Sequence, residues 1–429
     1  MKRLGDRWGN LVRVLDGALR VLLKYPLCDR CLGRLFARLG RGLDNAERGR
    51  AVKILLAMHL NELGLSSEEL GTLTANSGLS GPVECYICGA KLDSLILEMG
   101  RKAIDQLRGL RGEATSFLVG VRSGSSYERR EQEVIGVLGL DTWESIRREV
   151  KRMVGKLISK ELSLSPSFSN PDIHVVLDLD RGDSSLLIPP LLLGGRYVKL
   201  GRYISQLPWT RKDGSRKYKL SIYEACQSIL KALNGEKLVL HAAGREDADA
   251  RVLGDGRPMV IEVKGVLGRT SLKALPRGET LGIDPWILIT VHGRVTREYV
   301  RTIKTRPSRK TYRVVALVPD GLAEGDLEKL LALRNTIVHQ RTPTRVLGRR
   351  KDAVRRRRVY EVAINPLSRF LIEALVMVDG GLYVKELVDG DGGRTRPSFA
   401  ELLGKGVRVV MLDVLWVEPP LPANAGSLS

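Results

Sequence analysis

Apolar positions along the chain fall into three regimes. Up to residue 90 they recur mostly at helical spacing, and residues 44–63 read as a helix with Asp44 or Asn45 as its N-cap. Residues 92–112 repeat that spacing in Leu92, Leu95, Ile96, Met99 and Leu107. The period then alternates: Ser116 to Val121 reads as a strand, Glu144 to Leu162 as a helix and Ile173 to Leu179 as a strand, with Ser165 to Pro171 as a loop inside the module. From Leu186 onward strands follow one another with helices between, as expected of one large mixed domain. Three parts are therefore predicted: a helical part over 1–90, an α+β module over 91–185 and a mixed domain over 186–429. Pro422 to Ser429 are mostly small and are expected to fray.

Charge adds a partner to this picture. The 429-residue chain carries 70 Lys and Arg against 49 Asp and Glu, for a net charge of +21. Solubility does not need such an excess, and its clustering favours nucleic acid over a generally basic surface. One cluster runs from Arg196 to Lys219, where Tyr197, Tyr203, Trp209 and Tyr218 interleave with Arg196, Lys199, Arg202, Arg211, Lys212, Arg216 and Lys217. Aromatic rings offer stacking faces there and the cations offer phosphate contacts. A second cluster, Arg341 to Arg358, holds nine basic residues, Arg341, Arg345, Arg349 and Arg350 among them, and one acid, Asp352. No apolar run is long enough to span a bilayer, and no apolar h-region follows Met1 to Asp6. No membrane association and a cytoplasmic location are expected. Abundant Leu, Arg, Glu and Gly with few Asn and Gln hint at a thermophile.

Of five cysteines, four form two matched pairs, Cys28-Asp29-Arg30-Cys31 and Cys85-Tyr86-Ile87-Cys88. Four thiolates are what a closed tetrahedral zinc site needs. The 53 residues between Cys31 and Cys85 exceed the spacing of a compact zinc ribbon, so the two knuckles must meet through the fold, with the 44–63 helix inserted between them. Four unrelated buried thiols are the plain alternative, and the matched spacing argues against it. Neither pair sits in a βαβ context, which argues against redox chemistry. A structural metal and no catalytic metal are expected. Cys226 lies on the stripe Ile222, Ala225, Ile229 and Leu230 and reads as core.

The strand-like run Leu238-Val239-Leu240 leads into His241-Ala242-Ala243-Gly244-Arg245-Glu246-Asp247-Ala248-Asp249-Ala250-Arg251. Three carboxylates and two guanidinium groups crowd a turn opened by Gly244. The cluster continues into Gly254-Asp255-Gly256-Arg257-Pro258, followed by the strand Met259 to Val263. A charged, Gly-rich loop between apolar strands commonly carries chemistry, and an Asp beside fixed cations stays ionised. From pattern alone, Asp249 with Glu262 and Lys264 looks like a D…ExK nuclease site that would hold Mg²⁺. A non-catalytic zinc RNA-binding protein is a further alternative.

Five segments occur in an order that is itself informative. They are Gly195-Arg196-Tyr197 with Lys199, Arg202, Gln206 and Trp209; Gly244 to Arg251 with Gly254, Gly256, Arg257 and Pro258; Lys310-Thr311-Tyr312; Gln340-Arg341-Thr342-Pro343 with Arg345, Arg349 and Arg350; and Gly381-Leu382-Tyr383-Val384-Lys385-Glu386-Leu387-Val388 with Gly393-Arg394-Thr395. With the paired knuckles and the α+β module, they resemble the archaeal and eukaryotic T-arm tRNA pseudouridine synthases, which carry a zinc-bearing, THUMP-containing accessory domain. The likeness covers nearly the whole chain. It implies an α+β fold with a central mixed or antiparallel sheet in a catalytic domain over 186–429, behind a helical zinc-binding part and a THUMP-like RNA-binding module. It implies an isomerase that converts uridine to pseudouridine at uridines 54 and 55 of the tRNA T-loop, with structural zinc, no catalytic cofactor and a monomeric state.

Residue by residue, the resemblance makes Asp247 the catalytic aspartate and Asp249 a structural neighbour paired with Arg251. Arg245 would fill the gap left by the flipped base or hold a phosphate; a salt bridge to Glu246 is its plain alternative. Tyr312 and Tyr383 would meet the substrate, Lys385 would stand against the catalytic Asp, and Leu387 would wall the uracil. Arg196, Lys199, Arg202, Arg341, Arg345, Arg349 and Arg350 would face RNA. Without the motif, Lys385 and Leu387 look like ordinary strand residues. The chain departs from the family pattern at Ser221-Ile222-Tyr223-Glu224, at Gly381-Leu382 and at Gly348, none of them a residue with an implied chemical role.

Overall fold

The computed structural model describes residues 2–40, 42–60, 64–79, 81–110, 114–122, 125–139, 141–266 and 281–419. Pro422 to Ser429, expected to fray, lie outside them. The chain divides into two compact units, Met1–Pro189 and Pro190–Ser429.

In the first unit, four helices come before any strand: α1 (Lys2–Leu22), α2 (Asp29–Leu35), α3 (Asn45–His59) and α4 (Ser67–Ser77). Helix α3 starts where the sequence supplies a capping box. The Asp44 carboxylate accepts from the Glu47 amide, and the Glu47 carboxylate accepts from the Asp44 amide, both at 2.8 Å. Helices α2 and α3 touch backbone to backbone. A Cβ on Gly33 would stand 1.7 Å from the Asn45 carbonyl oxygen, and one on Gly49 1.8 Å from that of Asp29. This crossing fixes α2, which has Cys28 as its N-cap and Cys31 in its first turn.

The unit continues with α5 (Leu92–Arg108), β1 (Ser116–Arg122), α6 (Ser125–Leu138), α7 (Ile146–Leu162), β2 (Ser165–Pro166), β3 (Ile173–Asp178) and β4 (Asp183–Leu187). The sheet order is β2-β1-β3-β4, with β1 parallel to β2 and β3, and β4 antiparallel to β3. The 165–171 segment, expected to be all loop, donates Ser165–Pro166 as an edge strand, because the Ser165 and Ser167 amides reach the Thr115 and Phe117 carbonyls at 3.1 and 2.9 Å. One apolar core joins the helices to the sheet, including Leu22, Leu32, Leu56, Met99, Phe117, Val154 and Val175.

The second unit is built on an 11-stranded sheet. Its elements are β5 (Leu191–Lys199), α8 (Ile222–Ala225), α9 (Gln227–Ala232), β6 (Lys237–Ala242), β7 (Arg251–Lys264), β8 (Leu281–Ile283), β9 (Ile287–Arg294), α10 (Arg297–Thr305), β10 (Lys310–Leu317), α11 (Asp326–Leu331), β11 (Thr336–Arg341), β12 (Val354–Pro366), β13 (Leu371–Val378), α12 (Val384–Asp389), β14 (Thr395–Arg396), α13 (Phe399–Leu403) and β15 (Arg408–Val417). Strand order is β14-β11-β12-β13-β10-β15-β7-β5-β9-β8, and β6 also pairs with β7. Among the described residues the β7–β15 ladder alone is parallel, through Arg251↔Asp413 and Val252↔Val414, so the sheet is mixed. One core packs around Ile229, Met259, Ile261 and Ile289, another around Val314, Val338, Val362 and Leu387, and Tyr312 packs against both.

Two sequence expectations change here. Gly254 to Pro258, expected to continue the charged loop, lies inside β7. Backbone carbonyls of Leu415 and Tyr197 come so close to Gly254 and Gly256 that a Cβ would stand 2.4 and 2.5 Å from them, and glycines let the strand run on between its neighbours. Lys385 and Leu387, which read as strand residues, stand on the short helix α12.

Because α2 and α3 meet at bare backbone, Gly49→Ala should force the helices apart. We expect a loss of at least ~2 kcal/mol of stability, as for an overpacked core, seen as a lower Tm for the first unit. An unchanged Tm would contradict the close crossing.

Candidate active site

The charged turn Gly244 to Ala250 links β6 to β7 beside the parallel β7–β15 junction. It is held from below by one buried carboxylate. Glu246 lies 2.9 Å from Arg257 Nε and 3.3 Å from Lys199 Nζ, and accepts from the Tyr197 hydroxyl at 2.8 Å. Arg257, Tyr197 and Lys199 are all fully buried. Burial pushes the Glu246 carboxyl up, but the charges of Arg257 and Lys199 outweigh it and hold the group below its ordinary value. Lys199 Nζ also donates to the carbonyls of Ile204 and Asp247 at 3.0 and 3.2 Å. Arg202 donates to the Asp249 carbonyl at 2.7 Å and pairs with Asp413 on β15 at 2.7 Å. The turn is thus bound through its backbone by two cations whose own charges are neutralised.

Its carboxylates face the other way. Asp247 Oδ1 lies 3.1 Å from Arg345 Nη1 and its Oδ2 3.4 Å from Lys385 Nζ. Asp249 accepts from Lys385 Nζ with both oxygens, at 2.9 and 2.7 Å. Burial raises the Asp249 carboxyl, yet hydrogen bonding and charge from Lys385 hold it below its ordinary value. Arg345 comes from a 3₁₀ turn, Thr344–Arg349, and also pairs with Glu386 of α12 at 2.5 Å. Helix α12 is oriented by Gln340, whose amide donates to the Tyr383 carbonyl at 3.0 Å and accepts from the Tyr383 N–H at 2.8 Å. The Arg345 guanidinium lies 5.8 Å from the Tyr383 ring centroid. Tyr312, on β10, is raised by burial, which the nearby Arg257 charge opposes.

Several expected roles look different against this geometry. Asp249 pairs with Lys385, not with Arg251, because Arg251 forms a two-bond pair with Asp413 at 2.9 and 2.8 Å. Lys199, expected to face RNA, is buried against Glu246, and Tyr197 from the same cluster is buried beside it rather than offering a stacking face. Arg202, also expected on RNA, is bound to Asp413 and the turn backbone. Arg345 sits on Asp247. Arg245 makes no bridge to Glu246, whose partners are Arg257 and Lys199; it is exposed and lies 5.8 Å from the Trp209 ring centroid. Arg196 donates to the carbonyls of Asp255 and Gly256, and Arg341 pairs with Asp352 at 2.9 Å. Arg350 is exposed, and the Arg349 side chain lies outside the described residues. Leu387 is fully buried in the β10–β13 core. Exposed cations remain at Arg211, Lys212, Arg216, Lys217 and Lys219, where Lys217 lies 4.4 Å from the Trp209 ring centroid.

Sequence reading missed Glu386, Gln340 and Lys310 as parts of this site. Each belongs to a quoted motif, which was the available signal, but their partners lie far away in the chain. The nuclease alternative does not assemble. Glu262 is held by His241 and Arg297, both at 2.8 Å, toward the far end of β7 from Asp249. Among the described residues the four cysteines are the one set of His, Cys, Asp or Glu side chains grouped as metal ligands.

In that set, in the first unit, Cys28, Cys31, Cys85 and Cys88 hold their sulfurs within 4.8 Å of one another, Cys28 and Cys88 at 3.7 Å. The edge of a zinc–thiolate tetrahedron with ~2.3 Å bonds is roughly 3.8 Å, so the cluster fits zinc. The Tyr86 amide donates to the Pro26 carbonyl at 2.7 Å and joins the knuckles, while Arg34 lies 3.6 Å from the Cys31 sulfur.

Comparison with known proteins agrees with this architecture. The family description "Pus10, C-terminal" matches residues 192–418, and "Pus10 THUMP domain, archaeal" matches residues 99–178. The tRNA pseudouridine synthase Pus10 of Aeropyrum pernix is 41% identical, over 96% of this chain and 99% of its own. Its counterpart in Ignisphaera aggregans is 39% identical over 94% and 99%, and that of Pyrococcus furiosus 35% over 94% and 98%. A pseudouridine synthase, an isomerase, is the class that these matches define. Within that class the chain belongs to the Pus10 family.

Among the described residues, buried Lys310 has no carboxylate paired with it. Burial, with the Arg257 charge adding to it, lowers the Lys310 amine to about 7, although Glu246 opposes the shift. In the unfolded chain it titrates near ~10.5, so below about 7 both states are protonated and the cost of the buried charge is fully present. As pH rises from there toward ~10.5, the folded state loses its proton first and the cost fades. Lys310→Met should therefore raise Tm by several degrees at pH 6, about 2 kcal/mol, with a gain that shrinks by pH 10. A gain independent of pH would contradict the buried charge.

Proposed function

We propose that this protein converts uridine to pseudouridine in tRNA, at uridine 55 and uridine 54 of the T-loop, with Asp247 acting at the ribose. The observation that carries this reading is the pairing of both Asp247 carboxylate oxygens with cations, Arg345 and Lys385. A carboxylate so paired is held in one orientation, as a nucleophile or base must be. The isomerisation balances without a cofactor: the N1–C1′ bond breaks, the uracil turns while held, C5 bonds to C1′, and C5 loses a proton as N1 gains one. Asp247 either attacks C1′ or removes a ribose proton. Tyr312, kept protonated by burial, is suited to stack on the flipped uracil and exchange a proton in the second half. Tyr383 and Lys385 complete the contacts to the base and to Asp247.

The uridine must leave the stacked loop to reach Asp247. Arg245, beside the Trp209 ring, is the side chain suited to fill the gap it leaves. Exposed cations of the 211–219 loop and Arg350 bind the RNA backbone, an affinity that falls with salt and carries no sequence code. The first unit docks the T-arm, with zinc on the four cysteines acting structurally. The four thiols suit a reducing cytoplasm, and the protein acts as a monomer.

Unmodified tRNA transcript incubated in EDTA tests the reading. Wild type should form T-loop pseudouridine, mapped at base resolution, and Asp247→Ala should be slower by at least about 1,000-fold. Intact RNA with no pseudouridine from either protein would sink it. Metal analysis should find one zinc per chain in wild type, and Cys85→Ser should lose it along with stability of the first unit; full occupancy in that variant would remove the cysteine site.

A further inference from the structure

The charges around the Gly244 turn almost cancel in pairs. Glu246 faces Arg257 and Lys199, Asp247 faces Arg345 and Lys385, Asp249 faces Lys385, and Glu386 faces Arg345, all within 3.4 Å. While Arg245 is exposed, Lys310 is the buried cation left over among the described residues around the turn. It is 6% exposed, and among the described residues no carboxylate and no hydrogen-bond acceptor meets its ammonium. Holding an ammonium in so buried a residue without a paired carboxylate is costly, and among the described residues only the charge of Glu246, already shared by Arg257 and Lys199, opposes that cost.

The ammonium lies directly beneath the turn. A Cβ on Gly244 would stand 2.7 Å from Lys310 Nζ and 3.5 Å from Arg257 Nη1. Gly244 itself is exposed. A side chain there would cap the ammonium, whereas glycine leaves it beneath bare backbone, one residue from the exposed Arg245. The buried partners add positive charge, since the single carboxylate of Glu246 already serves Arg257 and Lys199. The position therefore suits a small anionic oxygen, and a compact ammonium is an apt point charge for one.

We propose that Lys310 receives a phosphodiester oxygen of the bound RNA through the opening at Gly244, and so sets the depth to which the target nucleotide enters the site. This rests on RNA being the substrate, as proposed above. The contact is one phosphate next to the nucleotide that turns toward Asp247. It is distinct from the exposed cations of the 211–219 loop, because it becomes available only when the backbone lies against the turn.

The test uses full-length protein, unmodified tRNA transcript, and synthetic T-arm stem-loops in which one phosphate at a time is a neutral methylphosphonate. Lys310→Met should fold, bind RNA about tenfold more weakly at low salt, and lower the slope of log K against log salt by ~0.7–0.9, one phosphate contact. One methylphosphonate position should weaken wild type by the same factor and leave Lys310→Met unaffected. Gly244→Ala should reproduce the loss by capping the ammonium, and Lys310→Gln provides a second folded variant. If both Lys310 variants match wild type in affinity and salt slope, or if every methylphosphonate affects wild type and variant alike, the proposal is overturned while the isomerase reading stands. If wild type neither binds the transcript nor forms pseudouridine, the isomerase reading fails first.

Discussion

The buried carboxylate of Glu246 is the interaction on which the site depends. It stands under the Gly244 turn and draws together Arg257 of β7, Lys199 of β5 and the Tyr197 hydroxyl. A buried ion pair adds little net stability in general, but loss of one partner strands a charge and costs about 3–5 kcal/mol. Here the arrangement does more than neutralise charge. It fixes the face of the turn that meets the sheet, so Asp247 and Asp249 must project from the other.

That other face is built from elements far apart in the chain. Arg345 arrives on a 3₁₀ turn and Lys385 on α12, and both are held by residues that need not touch substrate. Glu386 orients Arg345, and Gln340 binds both backbone groups of Tyr383 at the start of α12. The half-buried carboxylates thus meet cations already set in place, a form of electrostatic preorganisation. Below the turn, Lys310 is a buried cation with no carboxylate of its own among the described residues.

In the first unit the equivalent constraint is steric. The glycine crossing of α2 and α3 and the bond from Tyr86 to Pro26 bring two distant cysteine pairs within metal-binding distance. The cysteine cluster and the backbone contact lie together there, in a unit whose helices and sheet share one core.

Elements controlled by local chemistry are legible along the chain. Asp44, one of two N-cap candidates, marks the start of α3, the periodicity of 92–112 marks α5, the CxxC pairs mark the four cysteines that cluster, and the ordered motifs mark the family. Tertiary structure alone decided which charges meet. Arg345 read as one more cation in a basic run, yet it lies on Asp247. Lys199 and Arg202 read as phosphate contacts, yet they bind the turn from beneath. Asp249 took Lys385 rather than its near neighbour Arg251, which the β7–β15 junction presents to Asp413. Capping and periodicity act over a few residues and can be read along the chain, whereas ion pairing depends on burial and on distances between strands that only the assembled sheet sets.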